Sequence, residues 1–231
     1  MSTTIALPLA GAVLRADLAG ALFWPEEATM IVADLHLEKG SSFARRGIPQ
    51  FVPPYDTRAT IDRLEAMLRQ HRPRRVICLG DSVHDGGAAE RMDGEDARRI
   101  GAMTASCDWI WIAGNHDPAP PAGWGGDVLR EVAIGDVILR HQALAGASDT
   151  GAYEISGHFH PTAAVATRAA RVSGRCFASD GRRLLLPAFG AYAGGLNVLD
   201  PAIAGLFDPA FTVILLGKRR MFAFPNARLI A

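Results

Sequence analysis

The sequence predicts an α/β domain in which two β-sheets pack face to face as a sandwich, flanked by helices. Three observations carry that prediction. Short apolar runs rich in Ile, Val and Trp recur through the middle of the chain, helical segments separate them, and both ends are β-rich with turn signals. Runs of this length are too short for helices, and unbroken apolarity is what a strand buried on both faces requires. No repeat, low-complexity stretch or linker interrupts the 231 residues, so a single domain spanning 1–231 is expected.

In chain order, residues 12–18 and 21–24 read as an N-terminal hairpin, and residues 29–35 (TMIVADL) as the first central strand. Residues 56–71 read as a helix, with Ala59, Ile61, Leu64 and Leu68 near helical spacing and Pro73 as its stop. Residues 75–79 (RVICL) form the next strand. A second, less regular helix over 87–106 follows, and then a strand over 109–113 (WIWIA). Residues 137–139 and 153–156 complete the central strands. Residues 175–179 and 183–187 flank Asp180-Gly181, and residues 211–216 and 221–224 flank Gly217-Lys218, so each pair reads as a hairpin.

Composition limits the function. The 24 Lys and Arg balance the 24 Asp and Glu, which removes any whole-protein attraction to nucleic acid while leaving local basic patches open. Only Lys39 and Lys218 are lysines. At 49% apolar and 21% charged residues, the chain has the composition of a folded domain. Cys78, Cys107 and Cys176 are few and far apart, which suits reduced, buried thiols in a cytoplasmic protein. No stretch approaches the ~20 apolar residues of a membrane span, and the start lacks a basic leader, so no membrane partner is expected.

Polar residues gather where the central runs end. Asp34-x-His36 follows the first, Gly80-Asp81 the second, and Gly114-Asn115-His116-Asp117 the third. His141 and then Gly157-His158-Phe159-His160 follow the last two. Of the 7 histidines, only His71 and His84 lie outside these clusters, His84 just beyond one. Sites in open sheets gather beyond the carboxyl ends of strands, so one convergent site is expected. In an extended segment, residues two apart share a face, which would point Asp34 with His36, and His158 with His160, into it. The donors Asp34, His36, Asp81, Asn115, His141, His158 and His160 are oxygen and imidazole without thiolate. They suit Mn, Fe or Zn better than a closed structural zinc site, and two ions sharing a carboxylate would use them all.

A lone D-x-H is weak, but GNHD arises in roughly one chain in a thousand at uniform residue usage, and five such blocks in order are specific. The series over residues 34–160 resembles the calcineurin-like metallophosphoesterase superfamily. That resemblance implies the αββα metallophosphoesterase fold and two divalent metal ions, with Mn favoured and Fe, Zn or Mg as alternatives. It places Asp34, His36 and His160 on the first ion, Asp81 as the bridge, and Asn115, His141 and His158 on the second. His116 would be catalytic, protonating the leaving oxygen or stabilising transition-state charge. The family's G-D-x-x-D is altered here. His84 stands where the second aspartate belongs, with Asp85 one later, so Asp85 or Asp117 would orient His116, or neither, and His84 would contact phosphate or cap a loop.

Segments 21–25, 33–40, 43–49 and 186–190 are similar to a bacterial subgroup, the ligase-associated DNA damage response endonucleases. This implies a phosphodiester substrate, DNA included, and a repair role beside a DNA ligase, a helicase-like protein and a nuclease. Arg45 and Arg46 follow the first ligand pair, and Arg45, with His84, is a candidate substrate contact. The substrate walls would come from loops 39–54 and 86–95. The competing readings are a phosphomonoesterase or nucleotide-diphosphate hydrolase on the same core, and an inactive metal-binding scaffold. A scaffold, however, needs no general acid such as His116.

Overall fold

The computed structural model describes residues 3–48, 55–116, 120–121, 123–144, 152–168 and 170–231. The expectations that rest on Asp117, Pro49 and the end of the 39–54 segment lie outside these residues.

Among the described residues, one sheet has seven strands in chain order: β1 (Thr4–Leu9), β2 (Ala12–Asp17), β3 (Leu22–Trp24), β4 (Thr29–Val32), β5 (Arg75–Cys78), β6 (Asp108–Ile112) and β7 (Asp127–Leu129). The first four are antiparallel, and β4 to β7 are parallel. Four helices follow β4 in chain order: α1 (Lys39–Arg45), α2 (Asp56–His71), α3 (Ala88–Arg91) and α4 (Gly94–Thr104). The second sheet holds β8 (Glu131–Ile134), β9 (Val137–Arg140), β10 (Tyr153–Ser156), β11 (Pro161–Ala166), β12 (Arg171–Ser179), β13 (Arg183–Leu185), β14 (Leu196–Asn197), β15 (Thr212–Leu216) and β16 (Met221–Pro225). A short helix, α5 (Pro201–Ala204), precedes β15.

The parallel strands are buried on both faces, which explains their unbroken apolar runs. Met30, Val32, Val76, Cys78, Trp109 and Trp111 face Ile61, Leu64 and Met67 of α2 and Ile100 and Met103 of α4. Ile31, Ile77 and Ile112 point the other way, against Leu139, Ile155, Phe177, Leu184 and Ile214 of the second sheet. Each such side chain contributes about 1.5–3 kcal/mol on burial. The outer face of the second sheet is covered by α5 and the chain after it, with Ile203, Phe207 and Phe211 on Val213 and Leu215. The result is the two-sheet sandwich flanked by helices that the sequence predicts.

The predicted hairpins form with β2–β3, β12–β13 and β15–β16. The predicted helix over 87–106 is two helices. The chain breaks at Met92 and Asp93, where the Asp93 side chain accepts the Glu95 N–H at 2.8 Å and starts α4. The sequence reads segment 39–54 as loop, but α1 occupies its first half. The stripe of α2 turns slightly from the apolar count: Thr57 and Thr60 are buried where Ala59 is only partly so. The tryptophans Trp24, Trp109, Trp111 and Trp124 are all core, and the three cysteines are free, with Cys78 and Cys176 buried. No helix among the described residues is long and apolar enough to cross a membrane.

Candidate metal centre

The chain leaving β4 does not stay extended. Asp34, His36 and Glu38 take positive φ of 52°, 44° and 63°, alternating with ordinary residues. Hydrogen bonds to the chain leaving β5 hold them: Asp34 N–H to Gly80 O at 3.3 Å, His36 N–H to Asp81 O at 2.9 Å, and Leu37 N–H to Ser82 O at 3.0 Å. Asp81 is itself left-handed, at φ 48°. The convergence of Asp34 and His36 therefore comes from left-handed kinks rather than from strand alternation, which corrects the extended-segment expectation. The same holds for His158 and His160 after β10, at φ 68° and 47°.

The second sheet meets this junction directly. Ala33 bridges Ala188 in parallel, Phe189 N–H donates to Ala33 O at 2.7 Å, and Gly190 N–H donates to Asp34 O at 3.1 Å. Asp34 accepts the His158 N–H at 3.0 Å, and Asp81 accepts the His116 N–H at 3.0 Å. Each carboxylate is thus fixed by a backbone donor from another strand end.

Two triads result. Asp34, His36 and His160 offer donor atoms within 4.8 Å of one another, and so do Asp81, His141 and His158. In the first, His36 Nε2 lies 3.0 Å from His160 Nε2, which is 3.4 Å from Asp34 Oδ1. In the second, His141 Nε2 lies 3.1 Å from His158 Nδ1 and 3.5 Å from Asp81 Oδ1. Asp81 lies between the two, with Oδ2 4.0 Å from His36 Nε2. The Asn115 amide closes the second triad, 3.3 Å from His158 Nδ1.

Outer hydrogen bonds fix the tautomers. His141 Nδ1–H donates to Leu79 O at 2.8 Å and His160 Nδ1–H to Gly194 O at 3.2 Å, leaving both Nε2 lone pairs aimed inward. Burial, then the neighbouring His160, pushes the His36 imidazole down to about 2, so its ring is neutral at neutral pH. Burial followed by His141 also lowers His158. At His160, burial lowers the value but the Asp34 carboxylate overrides it and raises it. Facing nitrogen lone pairs and carboxylates in so small a volume repel one another unless cations lie between them. The donor set therefore fits two divalent ions bound by oxygen and imidazole.

His116 stands at the mouth. Its side chain is 51% exposed and Nε2 is 4.0 Å from Asp81 Oδ2. His84 stacks on it, with ring centroids 5.5 Å apart and 16° between planes, and also meets His36 edge to face and Phe43 at a tilt. Asp85 does not orient His116. Its carboxylate binds Ser42 Oγ at 2.5 Å, Arg91 Nη2 at 2.7 Å and Gly87 N–H at 2.9 Å. Nor is Arg45 at the metal triads. It lies in an open groove with Arg46, Asp85, Glu90 and Arg91, and its closest acid is Glu90 at 4.0 Å.

Residues to which the sequence gives no role support or flank the centre. Buried Glu38 ties α1 to α2, its N–H donating to Thr57 Oγ1 and its carboxylate accepting from Thr57 and Ser41. Lys39 and Tyr192 line a cleft with His36. Lys39 had a sequence signal, as one of two lysines in an arginine-rich chain, whereas Tyr192 sits in a turn with no local motif.

The family model of calcineurin-like phosphoesterases matches residues 28–170. The crystal structure of the Pseudomonas putida nuclease MPE superposes with a TM-score of 0.72 at 25% identity, covering 95% of this chain and 100% of that one. YfcE, a phosphoesterase from E. coli, gives a TM-score of 0.41 at 13% identity, over 87% of this chain and 98% of that one. A search of curated proteins by sequence found none that matches.

Proposed function

The chain belongs to the calcineurin-like phosphoesterase family and is a metal-dependent hydrolase, and from that premise we propose that it is a dinuclear phosphodiesterase acting on nucleic acid. The observation that carries this reading is the pair of triads, with the Asp81 carboxylate of the second also 4.0 Å from His36 of the first, beneath an exposed His116. Asp34, His36 and His160 would hold the first ion, and Asn115, His141 and His158 the second, with Asp81 between them. When bound, the ions supply charge to the phosphoryl oxygens and acidify the attacking water. Mn²⁺ suits this oxygen and imidazole set.

The protein's own groups do the rest. His116 would deliver a proton to the leaving oxygen, and the Asp81 carboxylate holds its backbone N–H in place. His84 restricts the plane of the His116 ring by stacking on it. Because the His116 side chain is half exposed, the centre opens to solvent, which accommodates a phosphate esterified on both sides. Similarity to a nuclease over nearly the whole chain supports the same substrate class. A cytoplasmic role in DNA repair, with ligase, helicase-like and nuclease partners, is what the subgroup segments imply. Residues 1–231 would form one domain.

The test is Mn²⁺-dependent turnover of bis-p-nitrophenyl phosphate against p-nitrophenyl phosphate. The diester is expected to be preferred, and His116→Ala to lose about 10²–10⁴-fold with the fold retained. Asp81→Asn should lose activity together with bound metal. A monoester preference would favour a phosphatase, and metal binding without turnover would favour the scaffold.

A further inference from the structure

One side of the centre ends in a rim that the proposed chemistry does not use. Tyr55, just before α2, and Tyr192, in the turn after Gly190, are 57% and 38% exposed. They are the exposed Phe, Tyr or Trp side chains among the described residues, and they lie close enough that, after desolvation, Tyr55 raises the Tyr192 hydroxyl. Aromatic rings normally contribute by leaving water, so folding alone gives no reason to keep two of them paired at the surface. Their position relates them to the centre. Tyr192 lines one cleft with Lys39, Asp56, Gly190 and the ligand-position residue His36. Two residues further on, Gly194 O accepts from His160 Nδ1. Lys39 Nζ donates to Tyr192 O at 3.4 Å, and its charge is felt at both His36 and His84.

A paired aromatic surface beside a cation, next to a phosphate-cleaving centre, has the two features that recognise a single nucleic-acid strand. A base has a flat π face that stacks on an aromatic ring, and its phosphate takes the positive charge. We propose that Tyr55 and Tyr192 form a nucleoside subsite on which the base beside the scissile phosphate stacks, with Lys39 facing that nucleotide's phosphate. This rests on the phosphodiesterase reading above, and makes the enzyme selective for nucleoside esters over simple diesters.

Two chromogenic diesters with the same leaving group isolate the nucleoside: thymidine 5′-(p-nitrophenyl phosphate) and methyl p-nitrophenyl phosphate. With the Mn²⁺-loaded protein, kcat/KM should favour the thymidine ester. In Tyr192→Ala and Tyr55→Ala the ratio between the two esters should fall by about 5- to 100-fold, as expected for loss of one stacking contact. Tyr192→Phe and Tyr55→Phe, which keep the rings and lose only the hydroxyls, should retain most of the preference. Turnover of both esters without a thymidine preference overturns the subsite and leaves the phosphodiesterase reading standing. Equal losses on both esters in the alanine variants also overturn it, because the tyrosines would then only be holding the turn that positions His160. No turnover of either ester by the parent protein would instead bring down the phosphodiesterase reading, and the subsite with it.

Discussion

Asp34, His36, Asp81, His158 and His160, together with Glu38, hold φ between 44° and 68° without being glycine. Each such residue costs about 1–3 kcal/mol unless its surroundings impose the conformation. Here the imposing contacts include backbone hydrogen bonds between strand ends at Asp34, His36 and Asp81, the Asp34 carboxylate at the His158 N–H and Thr57 Oγ1 at the Glu38 N–H, and the return is five donor side chains turned to one site. Asp85 shows a different economy. Burial alone would raise its carboxyl, but Ser42, Arg91 and the Gly87 N–H hold it at about 2, below the ordinary 3.8. The native state therefore binds its proton later than the unfolded chain does. The stabilisation is fully present above about pH 4 and is lost as pH falls through about 2. Urea midpoints measured from pH 5 down to 2 should fall more steeply for the parent protein than for Asp85→Asn. Parallel curves would mean that Asp85 does not couple its loop to α1 and α3.

At the level of elements, the centre is made where strands stop. The ends of β4, β5 and β6 supply Asp34, His36, Asp81 and Asn115, and those of β9 and β10 supply His141, His158 and His160. Two glycines make the close approach possible. A Cβ on Gly157 would lie 2.6 Å from Asp34 Oδ2 and 2.8 Å from the Ala33 Cβ, and one on Gly80 would lie 2.4 Å from His141 Nδ1. Neither position has room for a methyl group. Gly157→Ala should displace the Asp34 carboxylate, lower metal content and cut turnover by about 100-fold or more, since a displacement of about 1 Å is enough. Metal analysis beside the turnover assay checks it, and full occupancy with parental activity would show that the junction yields.

Across the whole molecule, the metal triads join the two sheets. Asp34 and His36 come from one and His160 from the other, while Asp81 comes from the first and His141 and His158 from the second. Ions bound there stabilise only the assembled sandwich, by about 4 kcal/mol for a single site at a thousandfold excess over Kd. For a chain of this size, that is about 10 °C in Tm. Chelation should therefore lower the melting temperature by about that amount and abolish activity, and added Mn²⁺ should restore both. A melt unmoved by verified metal removal would mean that the centre adds nothing to the sheet–sheet contact.

The central strands, helix 56–71 and the hairpins were legible in the sequence because they rest on local periodicity and turn chemistry. So were the donors themselves, because each cluster follows an apolar run and the ordered motifs are specific. The α3–α4 break was not, since Met92 and Asp93 interrupt no apolar pattern. The three-dimensional structure decided what distant residues share. Left-handed kinks held by another strand's carbonyls turn Asp34 and His36 inward, Asp85 binds Ser42 and Arg91 instead of His116, and Tyr55 meets Tyr192 at the rim. The physical reason is the range of the forces involved. Side-chain periodicity and turn preference act within a few residues. Backbone pairing between strand ends and contacts across the sheets depend on which segments the fold brings together.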